Sequence, residues 1–176
     1  NTLKQRTRKY KVNNMSAAWK RAGYAVWFAI CICLFSGCDG KTVYKSHREI
    51  KDAQWYADEK PVFDVKIEDP GLKYNVYYLL RSAVQYPYYN LYLTRKITGP
   101  DRKTVSHELV ELKISDETTG KPYGEGLGDL FDQKILFLKD YTFPSAGVYR
   151  FEIGQSMRQN PLPFIMSIGI CVEKVE

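Results

Sequence analysis

Beyond Pro61 the chain alternates apolar and polar residues with a period of two, and this pattern restricts it to half-buried β-strands. In 62–68, Phe63, Val65 and Ile67 alternate with Asp64, Lys66 and Glu68. The same rhythm sets Leu91, Leu93 and Ile97 against Tyr92, Thr94 and Lys96, and Val110, Leu112 and Ile114 against Glu111 and Lys113. It returns in Tyr149, Phe151 and Ile153, and in Ile168, Ile170 and Val172. Residues 74–84 are apolar on both faces, which predicts a central strand covered on each side. Residues 135–138 read as a short apolar strand. Between the runs lie Asp69-Pro70-Gly71, Gly99-Pro100-Asp101, Thr119-Gly120-Lys121-Pro122, Pro144-Ser145-Ala146-Gly147 and Asn160-Pro161. Their Gly and Pro set backbone angles that strand interiors do not tolerate. Seven or eight strands with no competing amphipathic helix predict an all-β domain, an antiparallel β-sandwich of jelly-roll-like form, over residues 61–176.

The first part of the chain has a different character. Lys20-Arg21 precedes Ala22–Phe35, fourteen residues without a charge. As a helix this run spans about 21 Å, short of the roughly 30 Å hydrocarbon core of a bilayer. A basic segment, a short apolar run and then small residues describe an export signal rather than a membrane span. The small pair is Ser36-Gly37, and Cys38 follows directly. Met15 fits as the true start, with residues 1–14 an upstream extension, so that 1–37 is removed. Residues 38–60 read as a lipidated N-terminus and polar tether with a first short strand at 42–45, a helical turn within 49–56, and Trp55 folding back onto the domain.

Charge supports that division. The net charge is +6, yet residues 1–37 hold seven Lys or Arg and no Asp or Glu. The remaining 19 basic and 20 acidic residues leave the rest of the chain at −1. A phosphate-binding surface needs a basic patch in the folded domain, so no nucleic acid is expected as a partner.

The domain offers little for catalysis. His47 and His107 are its histidines, with no HxH, HExxH or CxxC to hold a metal. Ser145, Ser156 and Ser167 lack the strained turn and the base that a serine nucleophile needs. Cys171 lies in an apolar run and reads as a small buried hydrophobe. Gly124–Asp129 looks superficially like a phosphate loop, but no helix follows and its acids would repel an anion. A flexible loop between strands is the expectation. No catalytic residue, metal or cofactor is therefore assigned, and any small-molecule ligand is left open. Tyrosine is abundant, with 14 in the chain. Most belong to strand packing, but Pro87 places Tyr86, Tyr88 and Tyr89 in a turn or edge where their rings form a candidate contact surface for a partner or ligand.

Two resemblances follow. The stretch Leu34-Phe35-Ser36-Gly37-Cys38 resembles the lipobox of bacterial lipoproteins, with Phe35 in place of the usual Leu. It implies that Cys38 carries diacylglycerol and becomes the mature N-terminus; the alternatives are ordinary signal cleavage or a short uncleaved anchor. The second rests on ordered pieces: Trp55 ahead of Phe63, Leu80-Arg81, Tyr86-Pro87 with Asn90, Ile97 with Pro100, and Gly124-x-Gly126-x-Gly128-Asp129. Gly147-x-Tyr149-x-Phe151, Met157-Arg158 and Ile168-Gly169-Ile170 complete them. Together they resemble the gliding motility lipoprotein family GldH of Bacteroidota, over nearly all of 38–176. Pro161-Leu162-Pro163-Phe164 departs from the expected turn before the last strand. The resemblance implies a non-catalytic cell-envelope lipoprotein of gliding motility, linked to type 9 secretion, on the membrane through palmitate-type acyl chains on Cys38. It implies other envelope and gliding proteins as partners and favours the outer membrane. Arg81 and Arg158 lie in matched segments, where an arginine would pair with a carboxylate such as Asp129 or meet a partner. The alternative function is a surface or periplasmic glycan-binding module using the tyrosine-rich turn.

Overall fold

A computed structural model describes residues 40–175. Cys38, the leader and Met15 lie outside the described residues. In chain order the strands are β1 (Thr42–Glu49), β2 (Gln54–Trp55), β3 (Val62–Ile67), β4 (Tyr74–Ala83), β5 (Asn90–Thr98) and β6 (Thr104–Lys113). They continue as β7 (Glu125–Leu127), β8 (Leu130–Tyr141), β9 (Gly147–Gln155), β10 (Leu162–Pro163) and β11 (Ile165–Lys174). One five-stranded sheet has the order β1-β11-β4-β8-β7 and a four-stranded sheet the order β3-β9-β5-β6. β2 and β10 form a small pair of their own. All pairings are antiparallel, and the fold is an all-β sandwich.

The period-two positions become the facing surfaces of the two sheets. Val76, Tyr78 and Leu80 of β4 and Ile168, Ile170 and Val172 of β11 meet Phe63, Val65, Leu93, Phe151 and Ile153 in one buried cluster. Each such side chain contributes about 1.5–3 kcal/mol by leaving water. β4 is central, third of five, but its outer side is only partly covered: Tyr77 and Leu79 are half-buried and Arg81 is exposed.

Three expectations need correction. The segment read as a tether to residue 60 is folded from Thr42 onward, because β1 pairs along β11 from Thr42 to Glu49. Within it the expected helical turn is a 3-10 turn over Lys51–Ala53, and Trp55 is fully buried with its indole N–H donating to the carbonyl of Glu59 at 2.9 Å. The strand read at 135–138 is the middle of the twelve-residue β8. The glycine-rich stretch is a hairpin rather than a flexible loop: Leu127 pairs with Leu130 across a two-residue turn begun by Gly128 at φ +63. Glycine at the first turn position gives the backbone twist that suits two-residue hairpins.

Strand direction gives the sandwich two distinct ends. The Lys174 N–H donates to the carbonyl of Lys41, and Lys174 pairs with Tyr74, so the chain joins the sandwich beside the start of β4. The ten residues of β4 then run about 30 Å to the opposite end, where Tyr86–Tyr89 and the β7–β8 turn lie.

Candidate functional site

Residues 83–90 turn the chain from β4 in one sheet to β5 in the other, with the Tyr86 N–H donating to the carbonyl of Ala83 at 3.0 Å. The three candidate tyrosines divide by role. Tyr86 is half-buried against the core, and its hydroxyl donates to the carbonyl of Asn90 at 3.0 Å. Burial pushes that hydroxyl well above the ordinary tyrosine range. Its ring supports Tyr88 edge-on, with centroids 5.7 Å apart. Tyr88 and Tyr89 are exposed, and the Tyr88 hydroxyl donates to Gln159 Oε1 at 2.8 Å. Tyr86 is thus the brace, and Tyr88 and Tyr89 present surface.

Beside this turn the outer face of the four-stranded sheet forms an open groove of about 530 Å³ lined by Tyr88, Tyr92, Leu109, Ser156, Met157 and Arg158. Leu109 is 66% exposed on β6. Met157 is fixed from both sides: its N–H donates to Gln155 Oε1 at 2.8 Å, and its sulfur accepts the Tyr92 N–H at 3.3 Å. Ser156 and Thr94 hydroxyls lie 2.6 Å apart. Glu111 beside Tyr92 raises the pKa of its hydroxyl. A held thioether and two tyrosines framed by an arginine suit contact with a protein surface, where tyrosine, methionine and arginine are enriched. Of these, sequence singled out Tyr88 as a candidate contact and Met157-Arg158 as a matched piece. Tyr92 and Leu109 were legible only as outward-facing strand positions. The same end of the molecule exposes Val84, Leu127, Leu130 and Phe164.

Elsewhere the charged groups serve one another. Arg81 does not meet Asp129; it binds Asp132 through two hydrogen bonds of 2.7 Å. Hydrogen bonding to the guanidinium holds the Asp132 carboxyl below its usual pKa. Lys134 pairs with Glu173 at 2.5 Å and His47 with Glu49 at 3.3 Å. Arg81, Asp132, Lys134 and His47, together with Lys45 and Glu125, flank an open trough of mixed charge on the outer face of the five-stranded sheet.

One charge lies inside. Arg95 shares the inward parity of Leu93 and Ile97 and is 4% exposed. Its guanidinium donates to Glu108 Oε2 at 2.6 Å and to the Tyr78 hydroxyl at 3.2 Å, and stands 4.7 Å over the Phe137 ring. Its Nε has no acceptor among the described residues. Ser106 donates to the other oxygen of Glu108 at 2.7 Å, and the two bonds hold that carboxyl below its usual pKa, the serine contributing most.

His107 is exposed on β6 opposite Lys96. Cys171 is buried, and burial pushes its thiol up to about 11. A thiol in that state is a poor nucleophile at neutral pH.

The profile of the GldH lipoprotein family matches residues 42–172, from the first residue of β1 into the last strand. The chain belongs to this family. A "Gliding motility lipoprotein GldH homolog" from Christiangramia forsetii is 30% identical over 162 residues, covering 88% of this chain and 98% of that protein. "Gliding motility lipoprotein GldH" from Flavobacterium johnsoniae is 31% identical over 129 residues, 73% of this chain and 77% of that one. The family match thus spans the whole sandwich, β1 and β2 included. Among solved structures, the VP2 subviral particle of infectious bursal disease virus is similar at a TM-score of 0.35 and 14% identity, covering 77% of this chain and 32% of that one. So slight a likeness carries no functional meaning.

Proposed function

We propose that the chain is a lipid-anchored envelope protein of the gliding machinery that acts by docking rather than by catalysis. The observation that carries this reading is the family match across the complete sandwich, since both curated relatives bear the name gliding motility lipoprotein. Cys38 is the attachment point: two or more acyl chains there give a stable anchor, where a single chain binds only marginally. β1 begins four residues after Cys38, a span of about 14 Å at most, so the anchored domain rides close to the bilayer. The end bearing Tyr88, Tyr89 and the Met157 groove then faces away from it. Its partner is another envelope protein, in machinery linked to type 9 secretion, and the membrane is the outer one.

A glycan-binding role is the second reading, and the geometry favours it less. Sugar platforms use exposed, coplanar rings, whereas Tyr86 turns inward and stands at 72° to Tyr88.

Labelled palmitate incorporated by the wild type and lost in Cys38→Ser supports the anchor; equal labelling of both removes it. Crosslinking in intact cells recovers an envelope partner with the wild type and less of it with Tyr88→Ala. Recovery unchanged by that substitution moves the docking site elsewhere.

A further inference from the structure

β6 ends its sheet: β5 lies on one side, and among the described residues no strand lies on the other. An unpaired edge is a row of free backbone donors and acceptors, and proteins usually blunt it with brevity, lysines or bulges. The other edges follow that rule. β7 has three residues, β1 carries a bulge between Thr42 and Tyr44 together with Lys45 and Arg48, and the six-residue β3 presents Lys66. β6 differs. After an irregularity between Thr104 and Ser106 it runs in unbroken register from Ser106 to Lys113, with Leu109 largely in solvent. The inward-pointing carboxylate of Glu108 would repel an incoming strand, but Arg95 already neutralises it.

We infer that the β6 edge pairs antiparallel with β6 of a second copy of this chain, about a two-fold axis at Leu109. The side-chain pattern selects both occupant and register. Pairing β6 with itself while keeping outward faces together allows only even shifts. Centred on Leu109, the outer face sets leucine against leucine, and His107 opposite Glu111 of the copy at both ends. Centred on Glu108, one step along, His107 meets Leu109 and Glu111 meets Val105, so the outer face forms no apolar or complementary pair. Centred on Val110, Leu109 meets Glu111, and His107 meets Lys113. Like charges directly opposite destabilise a sheet, whereas apolar and complementary pairs stabilise it. Of these three, the Leu109 register alone sets leucine against leucine and imidazole against carboxylate on the outer face, and it joins two four-stranded sheets into one of eight. It also brings the two Met157 grooves, each bordered by Leu109, toward each other across the axis.

Disulfide trapping in membranes from cells making the full chain tests this. In the paired dimer a cysteine at 109 lies about 4.5–5.5 Å from its copy by Cα, within disulfide range. A cysteine at 113, on the same exposed face, lies eight residues or about 27 Å from its own copy. Under mild oxidation Leu109→Cys gives a covalent dimer, while Lys113→Cys and the parent chain give none. No dimer from Leu109→Cys overturns the proposal, as do equal yields at both positions, which signify random collision. A dimer from the parent chain would place the bond at a native thiol, and the result is then decided by sedimentation of the detergent-solubilised chain. In that measurement Leu109→Glu, which sets two carboxylates on the axis, converts dimer to monomer while the far-UV circular dichroism spectrum shows the fold retained. A wild type that sediments as monomer at all concentrations also overturns the proposal.

Discussion

Replacing Glu108 by alanine leaves the Arg95 guanidinium inside the sandwich with the Tyr78 hydroxyl and the face of Phe137 as its remaining partners. Removing one member of a buried ion pair costs about 3–5 kcal/mol. Here 54% of the Glu108 side chain is in water, so solvent partly replaces the lost carboxylate. A loss of about 2–3 kcal/mol is therefore expected. At about 3–5 °C per kcal/mol for a domain of this size, Tm falls by roughly 6–15 °C. Arg95→Met should behave in the opposite way. Methionine keeps most of the volume and the contact with Phe137. It also removes a buried charge whose Nε is unsatisfied, and leaves Glu108 free to hydrate at the edge. Exchanging buried ions for apolar groups of like size is often neutral or stabilising by about 1–4 kcal/mol. The double variant should therefore match Arg95→Met, with a coupling energy of about 2–3 kcal/mol in a double-mutant cycle. Urea denaturation followed by far-UV circular dichroism supplies all four free energies. Arg95→Met losing more than about 2 kcal/mol, or Glu108→Ala losing nothing, refutes the account of a neutralised interior charge.

Three further outcomes are expected. Trp55→Ala empties a fully buried site in the strand paired with β10 and should cost about 3–5 kcal/mol in the same denaturation assay, whereas a residue lying on a tether would cost nothing. Asp64 and Asp132 have native pKa values depressed by hydrogen bonds from Arg150 and Arg81, so their stabilisation is present above 3.8 and is lost as pH falls through the native values. Asp132→Asn should accordingly flatten the acid limb of a Tm-against-pH curve, and an unaltered limb counts against the pair. With its pKa near 11, Cys171 is about one-thousandth thiolate at pH 8 and is buried as well; a thiol reagent should label it only after denaturation.

The strands of the core were legible because burial alternates as the side chains do. Phe63, Val65 and Ile67, or Tyr149, Phe151 and Ile153, announce their inward face through hydropathy alone. β1 was not read at full length because it is an edge: Lys45, His47, Arg48 and Glu49 are exposed, so its sequence resembles a linker. β8 was shortened for a related reason. Gln133 faces inward and donates its side-chain N–H to the Ile114 carbonyl, a polar residue at a core position that breaks the pattern. Arg95 hides in the same manner, since a charge at inward parity gains meaning only beside Glu108 and Tyr78. At the candidate site the tyrosines stood out by number, but not by orientation. What turns Tyr86 inward and Tyr88 outward is the Asn90 carbonyl and Gln159, the latter 71 residues away along the chain.

The antiparallel pairing of β1 along β11 has a mechanical meaning. Suppose an anchor tugs at Thr42 while a partner grips the far end. The tension then runs lengthwise down β1, and every rung of the ladder from Thr42 to Glu49 resists together instead of opening one at a time like a zipper. A domain wired in this way slides apart only under far greater tension than one peeled from its edge, a property suited to a part standing between a membrane and something that moves.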